Sequence, residues 1–267
     1  MTAIGLVSIK GGVGKTTATV NLATALSELG RKVLVIDANL TGPSVGLSLG
    51  LVQPALGLQD VLAGRARAGE AITRLEHFEL LPASLFAAHY SVDPARLRRL
   101  VERLKPRYDV LLLDSGAGPE LAAVMAAADE LLVITNPDYL TLACTLHAVK
   151  LARERDVPIT GLLLNRVRKR RFELSLEEIE DATGVPVLAV LPEDIAVSEA
   201  LAHTQPVLKF RPRRTLSVEY RALAAALVGE SYRDARLLPR LLRVFTDRIP
   251  RQEINRVVLR DARTDKP

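Results

Sequence analysis

Lys15 and Thr16 close a glycine-rich stretch, Lys10-Gly11-Gly12-Val13-Gly14-Lys15-Thr16-Thr17, whose composition and spacing suit a polyphosphate. Glycines, lacking Cβ atoms, let consecutive backbone N–H groups crowd around phosphate oxygens. A lysine at the end of such a loop reaches the β- and γ-phosphates, and the hydroxyl after it is a ligand for Mg²⁺. Gly11, Gly12, Val13, Gly14, Lys15, Thr16 and Thr17 are therefore the candidate phosphate-binding residues. Two aspartates each end an apolar run, Asp37 after Val33-Leu34-Val35-Ile36 and Asp114 after Val110-Leu111-Leu112-Leu113. Thr16, Asp37 and Asp114 form a candidate Mg²⁺ set, with the aspartates acting through water. A single strand-ending aspartate is equally well a turn residue. Two of them beside a glycine loop in one sheet make the stronger case.

For these groups to meet, the chain must bring the ends of separate strands together. Residues 4–9 read as a strand leading into the loop, and residues 17–29 as the helix leaving it, so the positive end of a helix dipole faces the phosphates. Residues 32–37, 78–81, 108–114, 131–135, 159–165 and 185–191 read as further strands, being continuous Val/Ile/Leu runs. Helical patterns fall at 58–63, closed by Gly64, and at 94–105, 139–155, 195–203 and 215–228; residues 94–105 are basic and amphipathic. Buried strands alternating with helices predict an α/β fold, a three-layer, doubly wound, mainly parallel sheet covered on both faces. Ligands in such sheets sit at the carboxyl ends of the strands, where the glycine loop, Asp37 and Asp114 all fall.

The general pattern G-x-x-x-x-G-K-[ST] fails at its first glycine, which here is Ile9, and a second lysine, Lys10, follows. The string KGGVGKTT resembles the deviant Walker A motif of the MinD/ParA family of P-loop ATPases. The resemblance covers roughly residues 2–228 and is nearest to the MinD branch. Asp114-Ser115-Gly116-Ala117-Gly118 resembles the family's switch II, with Asp114 at its Walker B position. Residues 58–64 resemble the stretch after switch I, and Thr135-Asn136-Pro137-Asp138 resembles T-N-P-E. Leu163-Leu164-Asn165-Arg166 resembles the segment whose asparagine reads the adenine edge, and Leu191-Pro192-Glu193-Asp194 the turn beside the base. The resemblance thus implies ATP and Mg²⁺ as ligands, with Asn165, Pro192, Glu193 and Asp194 at the base. From the residues alone, Asn165 at a strand end is also a plausible helix cap. The resemblance further implies a face-to-face homodimer in which Lys10 touches the partner's nucleotide. The catalytic set would be Lys10, Lys15, Asp37 and Asn39, and the output an ATP-dependent platform for a partner protein at the membrane.

Asn39 departs from the family's D-x-D in switch I. An amide orients a water but cannot take its proton. Phosphoryl transfer depends chiefly on positioning and charge, so slow hydrolysis is the expectation. Residues 41–44 resemble the Mrp branch, yet the single cysteine, Cys144, excludes its C-x-x-C chemistry and the paired thiols of the nitrogenase iron protein and the arsenite pump ATPase. Cys144 reads as a packed thiol. His77, His89, His147 and His203 lack metal-ligand spacing.

The 267 residues carry 36 Lys/Arg and 31 Asp/Glu, a net +5. Residues 233–267 hold ten basic and five acidic residues, so the whole excess lies in the tail. This predicts a domain over residues 1–230 and a basic tail over 231–267, with an anionic surface as partner. In that tail Leu238, Leu241, Leu242, Phe245 and Ile249 recur at helical spacing among arginines, the pattern of a helix lying in the plane of a membrane surface. Ile254, Val257 and Val258 form a second short stripe; both stripes could equally pack back on the protein. With no signal peptide and no spanning segment, the expected place is the cytoplasm, peripheral on the inner face of the membrane. A ParA-like ATPase riding on DNA is an alternative. The basic run of residues 166–171 would serve it, joined by Lys209, Arg211, Arg213 and Arg214, although such a run is also an ordinary solvated turn. A nucleotide-dependent assembly or metal-insertion factor is the third reading.

Overall fold

The computed structural model describes residues 1–86, 93–234 and 250–264. One sheet contains β1 (Thr2–Val7), β2 (Val33–Asp37), β3 (Thr73–Arg74), β4 (Glu79–Leu81), β5 (Val110–Asp114), β6 (Glu130–Thr135), β7 (Ile159–Val167) and β8 (Val187–Pro192). Their order is β3-β4-β2-β5-β1-β6-β7-β8. All neighbours run parallel except β3 with β4. The helices are α1 (Lys15–Glu28), α2 (Val45–Ser48), α3 (Leu58–Leu62), α4 (Ala68–Ala71), α5 (Pro94–Leu104), α6 (Pro119–Ala127), α7 (Tyr139–Glu154), α8 (Leu176–Thr183), α9 (Ala196–Ala202), α10 (Val207–Phe210), α11 (Thr215–Leu227) and α12 (Arg251–Thr264).

Side chains alternate across each strand, so every strand feeds two cores. Leu34, Ile36, Leu111, Leu113, Leu131 and Val133 pack under α3, α5, α6, α7 and α8. Val33, Val35, Val110, Leu112, Leu132 and Ile134 pack under α1, α9, α10 and α11. This is the three-layer, doubly wound architecture expected from the apolar runs. Gly5 permits a close approach of α6 to the sheet, because a Cβ there would lie 2.8 Å from Leu131 Cδ2 and 2.9 Å from Val124 Cγ1 of α6.

The sequence pattern does not announce the short helices α2, α4 and α10, which are single turns, nor β3. It also misses α6, whose Ala-rich run is buried on most sides and so has no polar stripe to mark a 3.6-residue period. β7 runs to Val167, two residues beyond the expected end.

α12 packs on α11 and β8. Its inward side is polar. Arg256 Nη1 pairs with Glu219 Oε2 at 2.8 Å, and Arg251 Nε with Glu180 Oε2 at 2.6 Å. Arg263 pairs with Glu130. Asn255 Nδ2 donates to Val187 O at 2.8 Å, filling a vacant acceptor on the edge strand β8. The second stripe, Ile254, Val257 and Val258, stays exposed. Residues beyond 230 therefore share contacts with the domain before it. The first stripe, Leu238 to Ile249, lies outside the described residues.

Candidate nucleotide-binding site

Register brings the two aspartates together. Asp37 on β2 pairs with Asp114 on β5, and Asp114 also lies opposite Leu6 of β1, just before the glycine loop. Both carboxyls are fully buried. Asp114 Oδ2 accepts from Thr16 Oγ1 at 2.7 Å and its Oδ1 from Thr19 Oγ1 at 2.8 Å. Asp37 Oδ2 accepts from the N–H groups of Ser44 and Val45, each at 3.1 Å, and so anchors the start of α2. Thr16 Oγ1 and Ser44 Oγ lie 2.8 Å apart, which links the two carboxyls through one hydroxyl pair.

Burial and the charge of Asp114 push the Asp37 carboxyl well above the usual carboxylate range, despite its backbone N–H partners. Burial also raises Asp114, partly offset by the Thr16 and Thr19 hydroxyls and by Lys15. Lys15 is lowered by burial, with Asp114 acting against that shift. Its Nζ donates to Ser8 O at 3.4 Å, inside the curl of the loop. A cation beside the two carboxyls would relieve their mutual repulsion. An all-oxygen set of two carboxyls and two hydroxyls fits Mg²⁺, which takes its other ligands from phosphate and water.

The loop is shaped by backbone that only glycine adopts easily. Gly12 has φ 73° and Gly14 φ 103°, in the left-handed region. A Cβ on Gly14 would also collide with Asn165 Nδ2. That same Nδ2 donates to Val13 O at 2.7 Å, so Asn165 at the end of β7 braces the loop from below. The Val13 side chain is buried in the core, which leaves only its backbone for the loop's ligand.

A cleft of about 690 Å³ opens above the loop. It is lined by Gly11, Gly12, Gly14, Lys15, Thr16 and Thr17, by Asn39 and Ser44, and by Ser115 to Ala117. Lys10, Asn165, Pro192, Glu193 and Asp194 do not line it. Lys10 Nζ turns sideways to Thr141 Oγ1 at 2.7 Å and Asp138 Oδ1 at 3.5 Å, at the start of α7. Asn39 folds into its own turn, where Nδ2 donates to Gly42 O at 2.5 Å and Oδ1 accepts from Gly42 N at 3.2 Å. Pro192 ends β8 beside Val167, Glu193 pairs with Arg168, and Asp194 Oδ1 accepts from Ala196 N at 2.9 Å.

Four contributors escape sequence inspection. Ser44 and Thr19 complete the hydroxyl set, and Arg166 reaches the cleft from a left-handed backbone, φ 58°. Glu120, buried at the start of α6, accepts from Thr41 N at 3.1 Å and ties the loop after β2 to the loop after β5. The helical periodicity of Lys15–Glu28 could have singled out Thr19, which lies one turn beyond Lys15. Ser44 and Arg166 fall in stretches the sequence singles out, residues 41–44 and 163–166, without a role for either side chain, and nothing in the sequence marks Glu120.

Residues 4–207 match the model of the CobQ/CobB/MinD/ParA nucleotide binding domain. The chain belongs to this family. The septum site-determining protein MinD of Synechocystis is 31% identical over 231 residues, covering 83% of this chain and 87% of that protein. The solved structure of MinD from Pyrococcus horikoshii, complexed with Mg-ADP, superposes with a TM-score of 0.77 at 34% identity, over 84% of this chain and 94% of that one. MinD from the MinC:MinD complex of Aquifex aeolicus gives a TM-score of 0.78 at 29% identity, over 88% and 99%. The MinD/ParA sheet and the P-loop nucleotide fold expected from KGGVGKTT are therefore present, and the likeness is to the MinD branch.

The buried acid pair of this MinD-like site carries a measurable cost. Because folding raises the Asp114 pKa, the folded chain holds the proton more tightly than the unfolded one. Stability in the absence of nucleotide and metal thus falls as pH rises from 3.8 through the folded-state value. Asp114→Asn keeps hydrogen-bonding capacity toward the Thr16 and Thr19 hydroxyls and removes the charge. It is expected to raise the melting temperature of the ligand-free protein more at pH 8 than at pH 3.8, where the unfolded carboxyl is half protonated. Calorimetry at both pH values checks this; an equal gain at both would refute the electrostatic account.

Proposed function

We propose that this MinD/ParA-like ATPase binds ATP with Mg²⁺ in the cleft above the loop, dimerises on it, hydrolyses it slowly and positions a partner protein at a membrane surface. The single observation that carries the reading is the Thr16–Asp114–Asp37–Ser44 constellation beneath a left-handed glycine loop. It supplies hard oxygen ligands, a buried cation and backbone donors in one place. Mg²⁺, when bound, would neutralise charge on the β- and γ-phosphates; Thr16 and Asp114 would hold it, with Asp37 behind. Lys15 would neutralise phosphate from within the chain. Asn39 lines the cleft and has only an amide to orient water, which supports turnover well below the ~10 s⁻¹ typical of enzymes. A steady-state rate at or above that value would contradict the slow reading.

Dimerisation is supported by what surrounds the cleft. Leu47 and Leu201 line its mouth, and Tyr139 and Leu140 stand exposed beside the Lys10 contacts. Exposed apolar side chains around a charged cleft suit a second copy. Lys10 would then leave Thr141 and Asp138 for the partner's phosphates. Asn165, Pro192, Glu193 and Asp194 are proposed to flank the base.

The membrane reading rests on the composition of Leu238 to Ile249, and no helix among the described residues is long and apolar enough to cross a membrane. The Aquifex aeolicus MinD was solved in a complex with MinC, which supports a protein partner of similar kind. DNA loses ground because Lys209, Arg211, Arg214 and Arg168 are paired with Glu28, Glu199, Asp194 and Glu193. For metal insertion there is no cluster of three or more His, Cys, Asp or Glu among the described residues.

Lys15→Ala is expected to abolish ATP binding, whereas Lys10→Ala should bind ATP as a monomer. Calorimetric titration with sedimentation velocity distinguishes the two; equal loss of binding would remove the intermolecular role of Lys10. For the membrane, Leu241→Glu/Leu242→Glu/Phe245→Glu leaves the α12 ion pairs untouched. It should reduce ATP-dependent pelleting with phosphatidylglycerol vesicles at least tenfold, and unchanged pelleting would end the tail proposal.

A further inference from the structure

The basic helix α5 is not absorbed by the nucleotide site. It lies beside α3, and between them is a cleft of about 750 Å³. No residue lines both this cleft and the nucleotide cleft. Its floor is apolar, made by Val61, Ala63 and Leu100. Its wall is cationic, made by Arg98, Arg99 and Arg103. Arg96 fixes the mouth by donating to Leu62 O at 2.8 Å and pairing with Asp93 at 3.5 Å. The one carboxylate on the wall, Glu102, is already engaged by Lys105 Nζ at 2.8 Å.

Arg98, Arg99 and Arg103 are exposed and have no ion pair among the described residues. Other arginines of this surface are matched to carboxylates, among them Arg65 to Asp60, Arg221 to Glu28 and Arg214 to Asp194. Arg99 and Arg103 stand four residues apart on one helix, where like charges repel. A cluster that repels itself at the rim of an apolar hollow is complementary to carboxylates that bring an apolar group with them.

We propose that the α3–α5 cleft docks an acidic segment of a partner protein, with carboxylates on Arg98, Arg99 and Arg103 and an apolar side chain against Val61, Ala63 and Leu100. Guanidinium groups take carboxylates as planar forks, and arginine clusters are a recurring mode of acidic-motif recognition. A DNA backbone has no apolar group for the floor, and a bilayer is flat where this surface is hollow. The proposal does not depend on nucleotide turnover.

The probe is a fluorescein-labelled peptide of Glu-Glu-Leu repeats, read by anisotropy against the full-length protein. Expected is saturable binding that weakens at least tenfold in Arg98→Glu/Arg99→Glu/Arg103→Glu and severalfold when every leucine of the peptide is glycine. Binding should weaken steeply between 50 and 300 mM salt, on the order of the screening expected for exposed charges. The three arginines are exposed, so an unchanged melting curve establishes that the variant folds. A second variant, Ala63→Gln, obstructs the floor without changing charge and should also weaken binding. Equal peptide affinity in the wild type and the triple variant overturns the proposal. So does a triple variant that loses duplex DNA or phosphatidylglycerol vesicles while keeping the peptide.

Discussion

Two carboxyl groups share a buried position at the ends of β2 and β5, and the architecture of the site follows from that. Without water to screen them, Asp37 and Asp114 repel, and burial opposes their ionisation. The fold answers with the backbone N–H groups of Asn39, Ser44 and Val45, two threonine hydroxyls from α1, and the charge of Lys15 at the start of α1. These groups come from two stretches of chain, the first turns of α1 and the segment from Asn39 into α2. The acid pair thereby ties the glycine loop, the first turns of α1 and the start of α2 into one unit. A site built this way is most stable when a cation arrives, which couples ligand binding to the order of its loops.

The loops around that unit are held by a second set of polar contacts. Glu120 joins the loop after β2 to the loop after β5 through Thr41 N, and Asn39 closes its own turn on Gly42. Asn165 braces Val13 from β7. Lys10 is drawn toward α7 by Thr141 and Asp138. None of these contacts is apolar, so none is fixed by packing density. Each can be exchanged for contact with a phosphate, a water or a second copy at modest cost, because a net hydrogen bond is worth about 1 kcal/mol.

The far edge of the sheet is handled differently. β8 would offer unpaired backbone to any extended chain, and α12 covers it with Asn255 and three Arg–Glu pairs. This consumes much of the positive charge that, counted along the sequence, looks like a free basic tail. The same happens around α9 to α11, where Lys209, Arg211 and Arg214 are matched to Glu28, Glu199 and Asp194. On α5, by contrast, Arg98, Arg99 and Arg103 have no ion pair among the described residues.

The sequence by itself determined the class of fold and singled out the glycine loop. Continuous Val/Ile/Leu runs can be satisfied only by a sheet buried on both faces, and Lys10-Gly11-Gly12-Val13-Gly14-Lys15-Thr16 has few structural uses besides holding phosphate. Both are local properties, written in consecutive residues. What the tertiary structure alone decided is partnership at long range. Ser44 meets Thr16 across 28 residues, Glu120 meets Thr41 across 79, and Asn165 meets Val13 across 152. Strand order sets these meetings, and strand order leaves no trace in local composition. The direction of α12 belongs to the same category. Its arginines meet carboxylates on three other elements, Glu180 of α8, Glu219 of α11 and Glu130 of β6, while Ile254, Val257 and Val258 face out.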